Sequence, residues 1–174
     1  MKRDDKKIYG EFDIIERIGK LFQRLDISDD AAFVPNNGGQ LVFTIDDFVE
    51  FIHFRKEWFS PFHIGYKAVS AAISDVAACG GIPRYILTAL SIEKDVDLAF
   101  VEEIYCGVRE FISKHSVDLI GGNIARSVCG TRVSTSVVGY AEYPIRRKDA
   151  QVGDLICVTG DIGRSACGLK LFEK

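Results

Sequence analysis

The stretch His63–Cys79 constrains this chain more than any other. Val69, Ile73 and Val76 recur at helical spacing and form one apolar stripe. The opposite side is not polar either. Ala68, Ala71, Ala72, Ala78 and Cys79 lie there, with Asp75 among them. At about 100° per residue, Asp75 points about 120° away from Val69. A helix whose second face is lined by small residues lets another element approach closely. Gly80-Gly81 ends it, and Pro83 follows. A carboxylate among alanines is costly to bury unless it is paired. No basic residue stands three or four positions away, where Ala71, Ala72, Ala78 and Cys79 are found. The partner of Asp75 therefore comes from elsewhere in the fold. A loop backbone is one source. A divalent cation shared with other carboxylates is the other, and it would remove the repulsion that keeps clustered carboxylates from ionising. Magnesium suits that role because it prefers oxygen ligands and brings phosphates with it.

The rest of the chain supplies the elements around this helix. Glu11–Leu25 has helical spacing. Ala31–Val34 and Leu41–Ile45 read as strands on either side of the turn-rich Pro35-Asn36-Asn37-Gly38-Gly39, which makes a hairpin. Asp46 to His63 reads as an aromatic-rich loop. Tyr85–Ser91 is a predicted strand and Asp97–Lys114 an amphipathic helix. Val117–Ile120 is a short, buried strand leading into Gly121-Gly122-Asn123, and Thr131–Glu142 is a long alternating strand. Leu155–Thr159 is a last strand before a helix that begins near Arg164. The irregular alternation predicts an α+β fold with a mixed sheet packed against helices.

Composition removes several function classes. With 174 residues the chain holds one well-cored domain. A net charge of −3 argues against general nucleic-acid binding, which needs clustered Lys and Arg. No apolar run approaches a membrane span, and the basic start MKRDDKK has no apolar stretch behind it, as a secretory signal would. The five cysteines form no CxxC or CxxH pair, so neither a zinc site nor a disulfide framework is expected. Their apolar or small-residue settings predict buried, reduced thiols, which suits the cytoplasm.

The candidate chemistry is scattered. Asp29, Asp30, Asp46, Asp47 and Asn123 stand at the ends of predicted elements, where Asp is also an ordinary turn residue. Gly121-Gly122 after a strand permits backbone N–H groups to face a phosphate, although it is neither a P-loop nor a GxGxxG motif. Arg146-Arg147-Lys148 is either a solvated loop or a clamp on a polyphosphate. His53 lies in the apolar run Phe51-Ile52-His53-Phe54. No nucleophile–base arrangement is visible.

Taken in order, six segments resemble the N-terminal half of thiamine-monophosphate kinases, of the aminoimidazole ribonucleotide synthetase-like superfamily. They are Gly10-Glu11-Phe12, Ser28-Asp29-Asp30-Ala31-Ala32, Thr44-Ile45-Asp46 with Val49–Phe54, Tyr66–Pro83, Gly121–Ser127, and Gly153-Asp154 with Val158-Thr159-Gly160. The resemblance implies ATP-dependent phosphorylation of thiamine monophosphate to thiamine diphosphate. Transfer would be direct and in line, with positioning and charge stabilisation as the catalysis and no catalytic side chain. It implies Mg²⁺ held by Asp30, Thr44, Ile45 (through its carbonyl), Asp46, Asp75 and Asn123, with Asp29 adjoining. It implies ATP contacts from Tyr105, Gly122, Asn123 and Arg147, and an acceptor contact from His53. Ser28 replaces the usual Gly of the family, Asn123 stands where many members have Asp, and Ala72 stands where Asn is common. Residues 1–160 would form the ATP/Mg-binding and dimerisation domain, and 161–174 the start of a second domain. A homodimer is expected, paired through its sheets with Thr131–Glu142 as an edge. A sister enzyme of the superfamily, or a non-catalytic dimerisation or nucleotide-binding domain, is the alternative reading.

Overall fold

The computed structural model describes residues 10–22 and 29–174. Ser28 and the end of the first predicted helix fall outside them. The elements run α1 (Glu11–Leu21), β1 (Ala32–Asn36), β2 (Gly39–Val49), α2 (Pro61–Ala78), β3 (Ile82–Ile92), α3 (Leu98–His115), β4 (Asp118–Arg126), β5 (Arg132–Ala141) and α4 (Arg164–Phe172). The five strands form one sheet in the order β1-β2-β5-β3-β4. The β3–β4 pair is parallel and the others are antiparallel, so the sheet is mixed, as expected for an α+β fold.

Local chemistry sets the helix boundaries. Ser60 caps α2 by accepting from the His63 N–H, and Pro61 occupies the first turn, where its missing N–H costs nothing. Gly80, at φ +68°, ends the helix. Asp97 caps α3, and Ser116 closes it in the left-handed region.

α2 and α3 cover one face of the sheet. Val69, Ala72, Ile73 and Val76 of α2 pack on Val42, Ile86 and Val137 of the strands and on Val108 and Phe111 of α3. A second cluster joins Phe48, Phe54, Ile64, Ala68, Leu90, Ile104 and Val133. The element that approaches the small-residue side of α2 is α3. A Cβ on Gly65 would sit 1.9 Å from the Ile104 carbonyl oxygen, and one on Gly107 1.9 Å from that of Phe62. The two helix backbones are in direct contact there, and only glycine permits it.

Several sequence expectations are corrected. Thr131–Glu142 is not an edge, since β5 lies at the centre of the sheet between β2 and β3. Its alternation, with Val133, Thr135, Val137 and Ala141 buried, marks a strand with one covered face, which is equally true of a central position. The strand after Val117 is neither short nor buried. It runs to Arg126 as the outermost strand and takes Gly121-Gly122 inside it. β2 extends to Val49, so Asp46 and Asp47 lie within a strand and not after one. Leu155–Thr159 forms no strand and is exposed; among the described residues no strand lies beside it to form a ladder. Of the cysteines, Cys79 is buried, Cys106 is half-buried and Cys129, Cys157 and Cys167 are exposed; all five are free.

Candidate functional site

β2 alternates between the faces of the sheet. Val42, Thr44, Asp46 and Phe48 point toward the helices, and Phe43, Ile45 and Asp47 point to the open side. β1 pairs with β2 only as far as Ala32 opposite Phe43. From Thr44 onward, the outer side of β2 has lost its strand neighbour. Asp30 enters there from the loop before β1, and Asp75 reaches down from the last turn of α2.

Thr44 joins these groups. Its hydroxyl lies 3.1 Å from Asp75 Oδ2 and 3.2 Å from the Asp30 carbonyl oxygen. Asp75 thus finds a hydroxyl where the sequence left a backbone group or a cation open. Burial pushes the Asp75 carboxyl above the usual range. The Thr44 hydrogen bond opposes that, the charges of Asp46 and Asp30 add to it, and Arg147 opposes it. Arg147, in a single 3-10 turn at Arg147–Asp149, forms a two-pronged pair with the Asp30 carboxylate, and its main-chain N–H donates to Asp29 Oδ1 at 2.8 Å. The basic cluster is therefore anchored on an acidic motif. Among the described residues, no group of three or more His, Cys, Asp or Glu is gathered closely enough to hold a metal as it stands. The Asp30 carboxylate is engaged by Arg147 instead. Asp47 is engaged on the open face by Arg132 and Ser134 and faces away from Asp75.

Asn123, Gly122 and Tyr105 stand on the opposite flank. Asp46, Thr135, Thr88 and Gly122 occupy one cross-strand row, and Asp47, Ser134, Ala89 and Asn123 the next. Three interstrand spacings, about 14 Å, therefore separate the two edges. The middle of the row is sealed, since Thr88 and Thr135 are buried beneath the helices. Within one copy of the chain, Asn123 does not share an ion with Asp46 and Asp75. The β4 flank carries its own depression of about 450 Å³, lined by Thr88, Tyr105 and residues 119–124. The Tyr105 hydroxyl lies 3.2 Å from Thr88 Oγ1. A Cβ on Gly122 would meet the Thr88 carbonyl oxygen at 2.1 Å, so the position is glycine because β3 lies against it. A neighbouring apolar slot of about 390 Å³, between α3 and β4, shares Tyr105 and Leu119.

His53 belongs to a third region. The turn after β2 presents it at a pocket of about 560 Å³, whose walls include Phe51, Arg55, Trp58, Phe59 and Phe172. Its ring stacks on Phe48 at 5.8 Å between centroids, and its Nδ1 accepts from the Val49 N–H at 3.0 Å. Sequence reading missed the groups beneath this turn. Glu50 is 6% exposed, accepts from the Thr131 N–H at 2.7 Å and pairs with Lys56 at 3.0 Å, while Lys56 also pairs with Glu93 at 2.8 Å. Burial works against the Lys56 ammonium, but its hydrogen bonds to Glu93 and Glu50 outweigh that and raise its pKa. The available signal was a single carboxylate inside the apolar run Phe48–Ile52.

Comparison with known proteins identifies the family to which this fold belongs. The family model "AIR synthase related protein, N-terminal domain" matches residues 28–141, and the chain belongs to that family. Within it, the chain is similar to thiamine-monophosphate kinases. It is 35% identical to the enzyme of Aquifex aeolicus over 95% of this chain and 54% of the relative. It is 37% identical to that of Bacillus subtilis over 84% of this chain and 46% of the relative. The structure of AaThiL complexed with AMPPCP and TMP superposes with a TM-score of 0.87 at 35% identity, covering 95% of this chain and 53% of that one. Hydrogenase maturation protein HypE shares the fold, with a TM-score of 0.52 at 22% identity over 65% of this chain and 35% of that one. The chain spans about half the length of the curated relatives it matches. Among the described residues, no helix is long and apolar enough to cross a membrane.

Proposed function

We propose that this chain contributes the nucleotide- and metal-binding half of an ATP-dependent kinase that converts thiamine monophosphate to thiamine diphosphate. The observation that carries the reading is the meeting of Asp30, Thr44, Asp46 and Asp75 at the outer edge of β2. The neighbouring carboxylates add to the cost of ionising Asp75, and a bound cation relieves that cost. The donors are hard oxygens, which fit Mg²⁺. Asp30, Thr44, Asp46 and Asp75 would hold it, with the Ile45 carbonyl. Once bound, Mg²⁺ neutralises charge that would otherwise keep two phosphate-bearing substrates apart. Arg147 supports the same end: a guanidinium already poised against Asp30 is placed to exchange that carboxylate for a phosphate oxygen. The attacking oxygen would belong to a phosphate, largely ionised near neutral pH, so direct transfer would need no strong general base.

The β4 flank supports a nucleotide site with a second copy of the chain as its complement. Tyr105 and the apolar slot beside it suit a base, and the Gly122 backbone suits a phosphate. A homodimer in which the β4 edge of one copy lies against the exposed β2 edge of the other would bring the Gly122-Asn123 segment to the aspartate edge. Phe43, Ile45, Tyr85 and Leu87, exposed on the open face of the sheet, supply apolar surface for that contact. Calorimetric titration of the chain with Mg²⁺ and AMPPCP, then with thiamine monophosphate, tests the reading. Magnesium-dependent nucleotide binding is expected. Nucleotide binding indifferent to magnesium would instead favour a non-catalytic nucleotide-binding domain.

A further inference from the structure

We propose that Glu50 is a positioning residue for the acceptor, acting through His53. The proposal rests on the reading, implied by the family resemblance, that His53 contacts thiamine monophosphate. The Glu50 carboxylate is buried where β2 gives way to the turn, and it is held from two sides. The Thr131 N–H donates to it at 2.7 Å, and the Lys56 ammonium lies at 3.0 Å. The Glu50 N–H donates in turn to the Thr131 carbonyl at 2.9 Å, so the start of β5 and the end of β2 are tied twice. Lys56 continues the chain of charges to Glu93 after β3, so the ends of β2 and β3 and the start of β5 are linked through Glu50 and Lys56.

The backbone around Glu50 is shaped for this. Gly130 adopts φ +65°, and a Cβ there would lie 3.1 Å from the Glu50 Cβ and the Phe51 ring. Phe51 adopts φ +69°, a conformation that costs a non-glycine residue energy and persists only where its surroundings impose it. That bend turns the chain back, and the Phe51 N–H donates to the Phe54 carbonyl at 2.8 Å while the His53 N–H donates to the Val49 carbonyl at 2.8 Å. The result fixes the His53 ring. Its Nδ1 faces the Val49 N–H at 3.0 Å and must accept, so the proton of the neutral imidazole sits on Nε2. His53 is presented to the pocket as a hydrogen-bond donor in one tautomer, and the clamp at Glu50 holds the turn that selects it.

The test uses the full chain labelled with ¹⁵N at histidine, together with Glu50→Gln and Lys56→Met. In the parent protein, long-range ¹H–¹⁵N spectra are expected to show His53 protonated at Nε2 alone. Both variants are expected to show mixed tautomers. They are also expected to bind thiamine monophosphate about tenfold more weakly, while Mg²⁺–AMPPCP affinity stays within about twofold. Lys56→Met keeps the Glu50–Thr131 bond, so it remains informative if Glu50→Gln does not fold. An unchanged tautomer in both variants, or equal losses for both ligands, overturns the proposal. A shifted tautomer in the variants of a parent protein that binds no thiamine monophosphate sustains the positioning role and overturns the acceptor reading instead.

Discussion

The outer edge of β2 carries Asp30, Asp46, Asp75 and Arg147, whereas the outer edge of β4 carries Gly122 and Asn123 with Tyr105 beside them. Both belong to one sheet, yet they are built on opposite chemistry. The first edge is crowded with charge, and its geometry is set by hydrogen bonds between Thr44, Asp30 and Asp75. The second is nearly without charge, and its geometry is set by the absence of a side chain at Gly122, where β3 leaves no room for one. The first suits a cation and phosphates; the second suits a base and a backbone-bound phosphate. About 14 Å of sheet lies between them, its covered side sealed by α2 and α3. Neither edge alone gathers all the groups proposed for magnesium and nucleotide, and the proposed second copy of the chain would bring the two edges together.

The largest expected effect is at the β4 edge. Gly122→Val places two methyl groups where even a Cβ meets the Thr88 carbonyl oxygen at 2.1 Å. β4 must move off β3, and AMPPCP binding should be lost, with a stability cost of about 1–3 kcal/mol by thermal unfolding. Retained affinity would remove β4 from the nucleotide site.

Asp75→Asn probes the other edge. It should weaken Mg²⁺ binding at least about tenfold, and it should also change how stability depends on pH. Burial holds the Asp75 pKa above its unfolded value, so the folded state keeps a proton the unfolded state has lost. Stability of the metal-free protein therefore falls as pH rises from the ordinary carboxylate pKa through the raised folded one. Below that window nothing is lost. The Asp75→Asn variant should flatten the decline in denaturation measured across acid to neutral pH, and Mg²⁺ should reduce it in the parent protein. A decline of equal depth in the variant would place its origin elsewhere.

Arg147→Ala has a smaller and two-signed effect. Its pair with Asp30 is screened by solvent, so stability should change little. Free Asp30 should bind Mg²⁺ more tightly without nucleotide, and AMPPCP more weakly with it. If both affinities fall, Arg147 holds the loop and not the phosphate. The smallest effect belongs to the sealed middle of the row. Thr135 Oγ1 is buried and has no hydrogen-bond partner among the described residues, so Thr135→Val should be neutral or stabilising by about 1 kcal/mol and leave both ligands' affinities unchanged. Weakened nucleotide binding would mean that the helix layer does not separate the edges.

The two edges were also unequally legible in the sequence. Asp75 could be singled out because a carboxylate on an alanine-lined helix has no local partner, and the helix itself follows from its apolar spacing and its glycine end. Thr44 as its partner depends on how β2 registers against α2, which no local pattern encodes. At the other edge, Gly121-Gly122 read as lying after the end of a strand, because glycine commonly interrupts one. In the fold it continues β4, where close contact with β3 and not a bend requires it. β5 read as an edge because its alternation reports one covered face and says nothing of which strands flank it. Separation of Asn123 from the aspartates is a property of strand order alone. Glu50 went unnoticed for the same kind of reason: its partner Thr131, and the Glu93 that Lys56 links to it, come from distant segments.

In the proposed dimer, the aspartate edge of one copy works with the β4 edge of another. Mixing Asp75→Asn chains with Gly122→Val chains tests it most directly. Each variant alone should show no magnesium-dependent AMPPCP binding. Equal mixing, after exchange of partners, should restore about a quarter of the parent protein's sites, because half the dimers then hold one intact pairing. Binding that stays absent in the mixture, while the two chains demonstrably exchange, would contradict the shared site.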